Sequence, residues 1–211
     1  MRTGHLINVL AEDAAARPSF EQHFVRMLAC GIAVAAVTFL LLVGFRHDIL
    51  TAVHSPRFLF KFVVTLALAV TASAVARRAG DPSGNIYGWI TAVAFVPVLL
   101  AAAVALELVA VPSGEWMQRL IGHDAWRCVV LIPFLSAGPL SCLLLALRQG
   151  APMRPGFAGA MAGLGASGIA ATFYAANCTD DSPLFIAAWF SLAILIVTAT
   201  GYLAGRRLLA W

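Results

Sequence analysis

Apolar residues along this chain come in six long blocks separated by short polar intervals. The blocks run from Met27 to Phe45, Phe58 to Ala76, Ile86 to Ala110, Cys128 to Leu147, Gly156 to Ala176 and Leu184 to Ala204. Each is close to the ~20 residues that an α-helix needs to cross about 30 Å of hydrocarbon. Lipid offers no water to unpaired amides and carbonyls, so continuous runs of this kind span as helices. The pattern predicts an all-α, polytopic transmembrane bundle of six helices within residues 27–211. Ahead of it lies a polar leader, residues 1–26, in which Leu6, Ile7 and Leu10 fall at one-turn spacing. Pro18 interrupts or restarts any helix there. The leader reads either as an interfacial anchor or as a docking segment that folds on a cytoplasmic partner.

Composition strengthens the membrane reading. The chain is 61% hydrophobic and 11% charged, whereas soluble domains carry about a quarter charged residues. A domain of 211 residues has too much surface for its volume to hide that apolar excess. Glu12, Asp13 and Glu21 precede the first apolar block, which argues against a secretory signal. The net charge of +4 comes from arginines placed mostly between apolar blocks, without a basic patch interleaved with aromatics. Direct nucleic-acid binding is therefore not expected. With the N-terminus inside, the cytoplasmic side holds Arg2, Arg17, Arg26, Arg77, Arg78, Arg148, Arg154, Arg206 and Arg207. The other side holds Arg46, Arg57, Lys61, Arg119 and Arg127. This bias favours an N-in, C-in arrangement.

Small residues supply packing surfaces. Gly159, Gly163, Ser167 and Ala171 repeat every fourth position of the fifth block, and Gly201 and Gly205 share that spacing in the sixth. Such faces let helix backbones approach closely in lipid. Lys61 sits near the start of its block, where its ammonium can snorkel to the headgroups. Glu107 reads as an interfacial residue or as a partner for Lys61. Asp180, Asp181 and Ser182 suit the amino end of the last helix as caps. No histidine or carboxylate falls near the middle of a block, which counts against a proton-driven transporter.

Candidate chemistry rests on the cysteines. Cys30 and Cys142 lie inside apolar blocks and read as small hydrophobic fillers. The topology puts Cys128 and Cys178 at the outer ends of their helices, facing the oxidising periplasm if the membrane is a bacterial inner one. His123, Asp124, Asp180 and Asp181 share those outer loops. Together with thiolates they are candidate ligands for zinc or another transition-metal ion. Three readings stay open: a sensing disulfide, a shared metal, or two inert buried thiols. The missing C-x-x-C argues against a catalytic redox pair.

Several motifs occur together in the last third. Trp126-Arg127-Cys128 opens the fourth helix. Leu147-Arg148-Gln149-Gly150-Ala151-Pro152, Arg154-Pro155 and Gly159 follow, then Tyr174, Cys178-Thr179-Asp180-Asp181-Ser182-Pro183, Phe185 and Trp189. Gly201, Gly205, Arg206 and Trp211 complete the pattern. With the leader "LINVLAED", the chain resembles the NrsF-type family of bacterial six-helix membrane anti-sigma factors over nearly its whole length. The most specific part is "NCTDDSP" with Trp189, although Asn177 stands where family members often carry His. The resemblance implies a non-enzymatic negative regulator. It would sequester an extracytoplasmic-function sigma factor at the inner membrane and release it on oxidative or heavy-metal stress. Cys128 and Cys178 match the family's paired periplasmic cysteines, and the leader would contact the sigma factor, with Leu6, Ile7 and Leu10 as candidate anchors. A small transporter or membrane enzyme, or a structural subunit of a membrane complex, are the alternatives. Monomer and homodimer are equally compatible with the sequence.

Overall fold

Local signals set the helix boundaries. In the computed structural model, which describes residues 19–81 and 86–210, helix α1 spans Phe20–Leu42. The Ser19 hydroxyl accepts the Gln22 amide at 3.3 Å, and Glu21 sits in the positive first turn. The helix therefore begins before Met27, inside the segment read as leader. Leu6, Ile7 and Leu10 lie outside the described residues. Gly44, at φ +72°, ends α1 in the left-handed conformation and donates its amide to the Phe39 carbonyl at 2.8 Å.

Prolines open three other helices as their first residue: α2 (Pro56–Ala79), α5 (Pro155–Ala175) and α6 (Pro183–Leu208). A missing amide costs nothing there, because the first amides of a helix have no intrahelical partner. Helices α3 (Tyr87–Ala110) and α4 (Ala125–Leu147) carry Pro97, and Pro133 with Pro139, within their length. Near its start α6 widens into a π-helical turn over Ile186–Phe190. All six helices are long and apolar enough to cross a membrane. Leu41, Leu106 and Val109 stand largely exposed on them, as side chains facing lipid do.

Helix α5 forms the centre, packed against α6, α2 and α4, while α1 leans mainly on α4 and α3 on α2. Its glycines make this possible. A Cβ on Gly163 would stand 2.7 Å from the Val197 carbonyl oxygen, and one on Gly201 or Gly205 would strike the α5 backbone at 2.5 Å. Gly159 faces Gly201 and Gly205 directly. Ser167 is fully buried and donates to the Leu164 carbonyl at 2.9 Å. The opposite side of α5 repeats the device: a Cβ on Gly168 would lie 2.6 Å from the Ala69 amide nitrogen of α2. Dispersion between closely packed backbones replaces the hydrophobic effect that lipid cannot supply.

One apolar cluster joins Phe24, Ala76, Leu147, Ala158 and Leu209, so both described chain ends lie at the same end of the bundle. Seven arginines lie there among the described residues, against Glu21 and Asp81. The opposite end holds residues 43–55, 111–124 and 176–182. Its cations Arg46, Arg57, Lys61, Arg119 and Arg127 are balanced by Asp48, Glu107, Glu115, Asp124, Asp180 and Asp181. That balance reflects ion pairs that join these loops, among them Lys61 and Arg46 with Asp181, and Arg119 with Glu107.

Candidate functional site

Asp124 precedes α4, and its backbone carbonyl accepts the Cys128 amide at 3.0 Å, one turn on. From the α5–α6 loop, Asp180 reaches across. Its Oδ2 accepts the amides of His123 (2.8 Å) and Asp124 (2.9 Å), filling two of the free donors at the start of α4. Asp124 answers: its Oδ2 accepts the Thr179 amide at 3.3 Å and the Thr179 hydroxyl at 2.9 Å. Gly122 lets the loops approach. It holds φ +57°, and a Cβ there would stand 2.7 Å from Asp180 Oδ2 and 2.5 Å from Phe185.

This reciprocal clasp fixes Cys128 on α4 beside Cys178 on the loop. Both are reduced and fully buried in one core with Tyr174, Phe185 and Phe190. The Cys178 thiol donates to the Asp180 carbonyl at 3.7 Å, and Cys128 packs in the same buried cluster. Tyr174 is buried in the same cluster, and its hydroxyl has no hydrogen-bond partner among the described residues. It is a spare donor in that cluster.

A second layer holds the loop from below. Lys61 of α2, fully buried, donates to the carbonyls of Cys178 (3.0 Å) and Asp180 (3.3 Å) and pairs with Asp181 at 2.5 Å. It does not snorkel to the headgroups, because the loop brings acceptors to it. Arg46 also donates to the Cys178 carbonyl, at 3.3 Å, and joins Asp181 at 3.2 Å and Asp48 at 2.7 Å. The Asp48 hydrogen bond raises the Arg46 pKa above the usual arginine value. The same bond lowers the Asp48 pKa to about 2.

Glu107 departs from both sequence readings. It is buried, and its Oε2 accepts the Ser182 hydroxyl (2.7 Å) and the Leu184 amide (3.1 Å), so it caps α6 from α3. Its other oxygen faces Arg119 at 3.4 Å and Arg57 at 3.8 Å. The expected capping of α6 by Asp180 and Asp181 is thus replaced. Asp180 caps α4, Asp181 neutralises Lys61 and Arg46, and Ser182 acts as a donor. At the π-turn of α6, the Trp189 indole donates to the Leu120 carbonyl at 2.8 Å, tying a third loop to this end.

The expected metal ligands separate. Donor atoms of Asp124, Cys178 and Asp180 lie within 4.8 Å of one another. One sulfur and two carboxylates suit zinc or another borderline cation, and the amide and hydroxyl donors on those carboxylates are the outer support such ligands use. His123 stands apart, its side chain 87% exposed with Nδ1 3.6 Å from Asp180 Oδ1. The Asp181 carboxylate is taken by Lys61 and Arg46. Asn177 donates to the carbonyls of Gly44 (3.1 Å) and Val43 (3.4 Å), so it works as a strut between loops.

The family model described as "Negative regulator of sigma F" (NrsF) matches residues 10–211. The chain belongs to the NrsF family. "Probable anti-sigma-F factor NrsF" of Azospira oryzae is 34% identical over 217 aligned positions, and "Anti-sigma-F factor NrsF" of Caulobacter vibrioides is 35% identical. Both alignments cover the whole of each chain. No solved structure matches this chain. NrsF membership makes the chain one of a family of regulators rather than enzymes, and the matched span contains all six helices and the clasp.

Sequence reasoning singled out Cys128, Cys178, Asp124 and Asp180 but missed Gly122, Thr179, Arg46, Tyr174 and the way Lys61 is used. Gly122-His123-Asp124 carried a usable signal, a glycine two residues before a helix-capping residue. The Lys61 contacts carried none, because their acceptors are main-chain carbonyls more than a hundred residues away.

Proposed function

We propose that this NrsF-family chain is an anti-sigma factor of the bacterial inner membrane. It holds an extracytoplasmic-function sigma factor at the cytoplasmic face and releases it when oxidants or heavy metals reach Cys128 and Cys178. The observation that carries this reading is the clasped thiol pair. Two buried cysteines from different elements pack in one cluster at the end of the bundle opposite both described chain ends. Both termini face the cytoplasm, in keeping with the excess of arginine at their end. The leader, with Leu6, Ile7 and Leu10 as anchors, supplies the docking segment.

Oxidation to a disulfide, or capture of a cation by Cys178 with Asp124 and Asp180, would change the spacing of α4 against the α5–α6 loop. A ligand that prefers one arrangement shifts the bundle toward it, and the inner face reads the shift. Metal capture needs the thiolate, so it would release a proton and weaken as pH falls.

The test is co-purification of the sigma factor with the full-length protein in detergent, before and after oxidant or cadmium. Wild type should release the partner, whereas Cys128→Ala and Cys178→Ala should retain it. Recovery of no sigma factor would remove the anti-sigma reading. Equal release from wild type and both variants would remove the sensing role while leaving the anti-sigma role intact.

A further inference from the structure

The other two cysteines also meet. Cys30 of α1 and Cys142 of α4, read from sequence as small hydrophobic fillers, come together where α1 packs on α4. The helix contact that places them is tight. A Cβ on Gly31, next to Cys30, would stand 2.9 Å from Pro139 Cα and 3.4 Å from Cys142 Cβ. One turn away, a Cβ on Gly138 would lie 2.5 Å from Val34 Cγ1. Gly31 thus brings the α1 backbone against that of α4 beside the cysteines, and Gly138 makes room for the Val34 side chain, the kind of close approach that the short Cα–Cα span of a disulfide requires. Cys30 is exposed and Cys142 half-buried. Since Cys30 lies midway along a membrane-length helix, what it meets is lipid.

We propose that Cys30 and Cys142 form a second redox pair, within the bilayer, that lipid hydroperoxides oxidise to a disulfide stapling α1 to α4. The exposed Cys30 sulfur attacks the terminal peroxide oxygen. The O–O bond breaks, the lipid leaves as its alcohol carrying the Cys30 proton, and Cys30 becomes a sulfenic acid. Cys142 then attacks that sulfur and expels the hydroxyl, which takes the Cys142 proton and departs as water. Two thiols and one hydroperoxide give one disulfide, one alcohol and one water, so the two electrons from sulfur reduce the O–O bond. The pair differs from the clasped one in its medium: Cys128 and Cys178 sit under polar loops, Cys30 against hydrocarbon. Helix α4 carries one cysteine of each pair, and α1 continues from the leader, so the staple would fix the leader's helix to the helix that bears Cys128.

The experiment uses the full-length protein, reduced and reconstituted in phospholipid nanodiscs. A phospholipid hydroperoxide is added to one sample, hydrogen peroxide in buffer to a second, and copper–phenanthroline to a third. Alkylation, proteolysis and mass spectrometry then follow the peptide joining Cys30 to Cys142. The proposal expects that peptide with copper–phenanthroline and with the lipid hydroperoxide, and less of it with hydrogen peroxide. It should persist in Cys128→Ser/Cys178→Ser and vanish in Cys30→Ser. In Cys142→Ser, Cys30 should accumulate as a sulfenic acid trapped by dimedone. No linked peptide with copper–phenanthroline would show that the sulfurs cannot meet. A linked peptide there, but free thiols after lipid hydroperoxide, would overturn the redox role. Neither readout involves a sigma factor, so failure here is separate from failure of the proposed function.

Discussion

Replacing Lys61 with methionine tests whether the cation network holds Cys178 in place. Removing one member of a buried ion pair costs about 3–5 kcal/mol, because the remaining charge is left uncompensated. Two features reduce that here. Asp181 is a fifth exposed and keeps Arg46 at 3.2 Å, and the Cys178 carbonyl keeps its Arg46 donor at 3.3 Å. The Asp180 carbonyl loses its ammonium donor, and an unpaired buried acceptor costs about 1–3 kcal/mol. The net expectation is about 2–3 kcal/mol, felt as local opening of the α5–α6 loop. Cys178 is fully buried and reacts with an aqueous maleimide only when that loop opens. At 1.4 kcal/mol per factor of ten, its labelling should therefore accelerate ~30- to 150-fold. Labelling is followed by peptide mass spectrometry in detergent micelles. The double variant Lys61→Met/Asp181→Asn leaves neither charge unpaired and should recover part of the protection. A Lys61→Met rate within about 3-fold of wild type would refute the argument, since that corresponds to less than ~1 kcal/mol.

Gly122→Ala imposes a left-handed backbone on a residue with a Cβ, worth about 1–2 kcal/mol, and presses that Cβ on Asp180 and Phe185. Its Tm in detergent should fall, and Cys178 labelling should rise; an unchanged Tm would contradict the clasp. Gly159→Leu puts a side chain into the backbones of Gly201 and Gly205, so folded, monodisperse protein should be largely lost on size-exclusion chromatography. Wild-type yield would show that α5 and α6 do not pack as described. The Asp48 carboxylate has a folded pKa of about 2 against an ordinary 3.8. Its pairing with Arg46 therefore contributes stability above pH ~4 that is lost as pH falls from about 4 to 2. Loop opening measured by limited proteolysis should be flat from about pH 5 to 8 for this group. Asp48→Asn should remove the rise in cleavage below pH ~4, and an identical acid profile in both proteins would discount the pair.

Hydropathy is a local property, and it located all six spanning helices, missing chiefly the start of α1, where the helix runs back to Phe20 through residues polar enough to read as leader. The small-residue faces of α5 and α6 were legible for the same reason: a four-residue repeat puts them on one side of a helix whatever the partner. The cysteines were only half legible. Topology alone brought Cys128 and Cys178 to one end, but Cys30 and Cys142 meet only because Gly31 and Gly138 let α1 approach α4.

Charged residues were the least legible, because what an acid or a cation does depends on what the fold places opposite it. Glu107 reads from sequence as an interfacial residue or a partner for Lys61, yet it caps α6 and faces Arg119. Lys61 instead meets the loop after α5, 117 and 119 positions along the chain. By itself, the sequence determined a six-helix membrane bundle, the family and which thiols share an end. Tertiary structure alone decided which carboxylate caps which helix, which cation holds Cys178 and which cysteines pack together. These contacts join residues far apart in sequence, where neither helical periodicity nor hydropathy carries information.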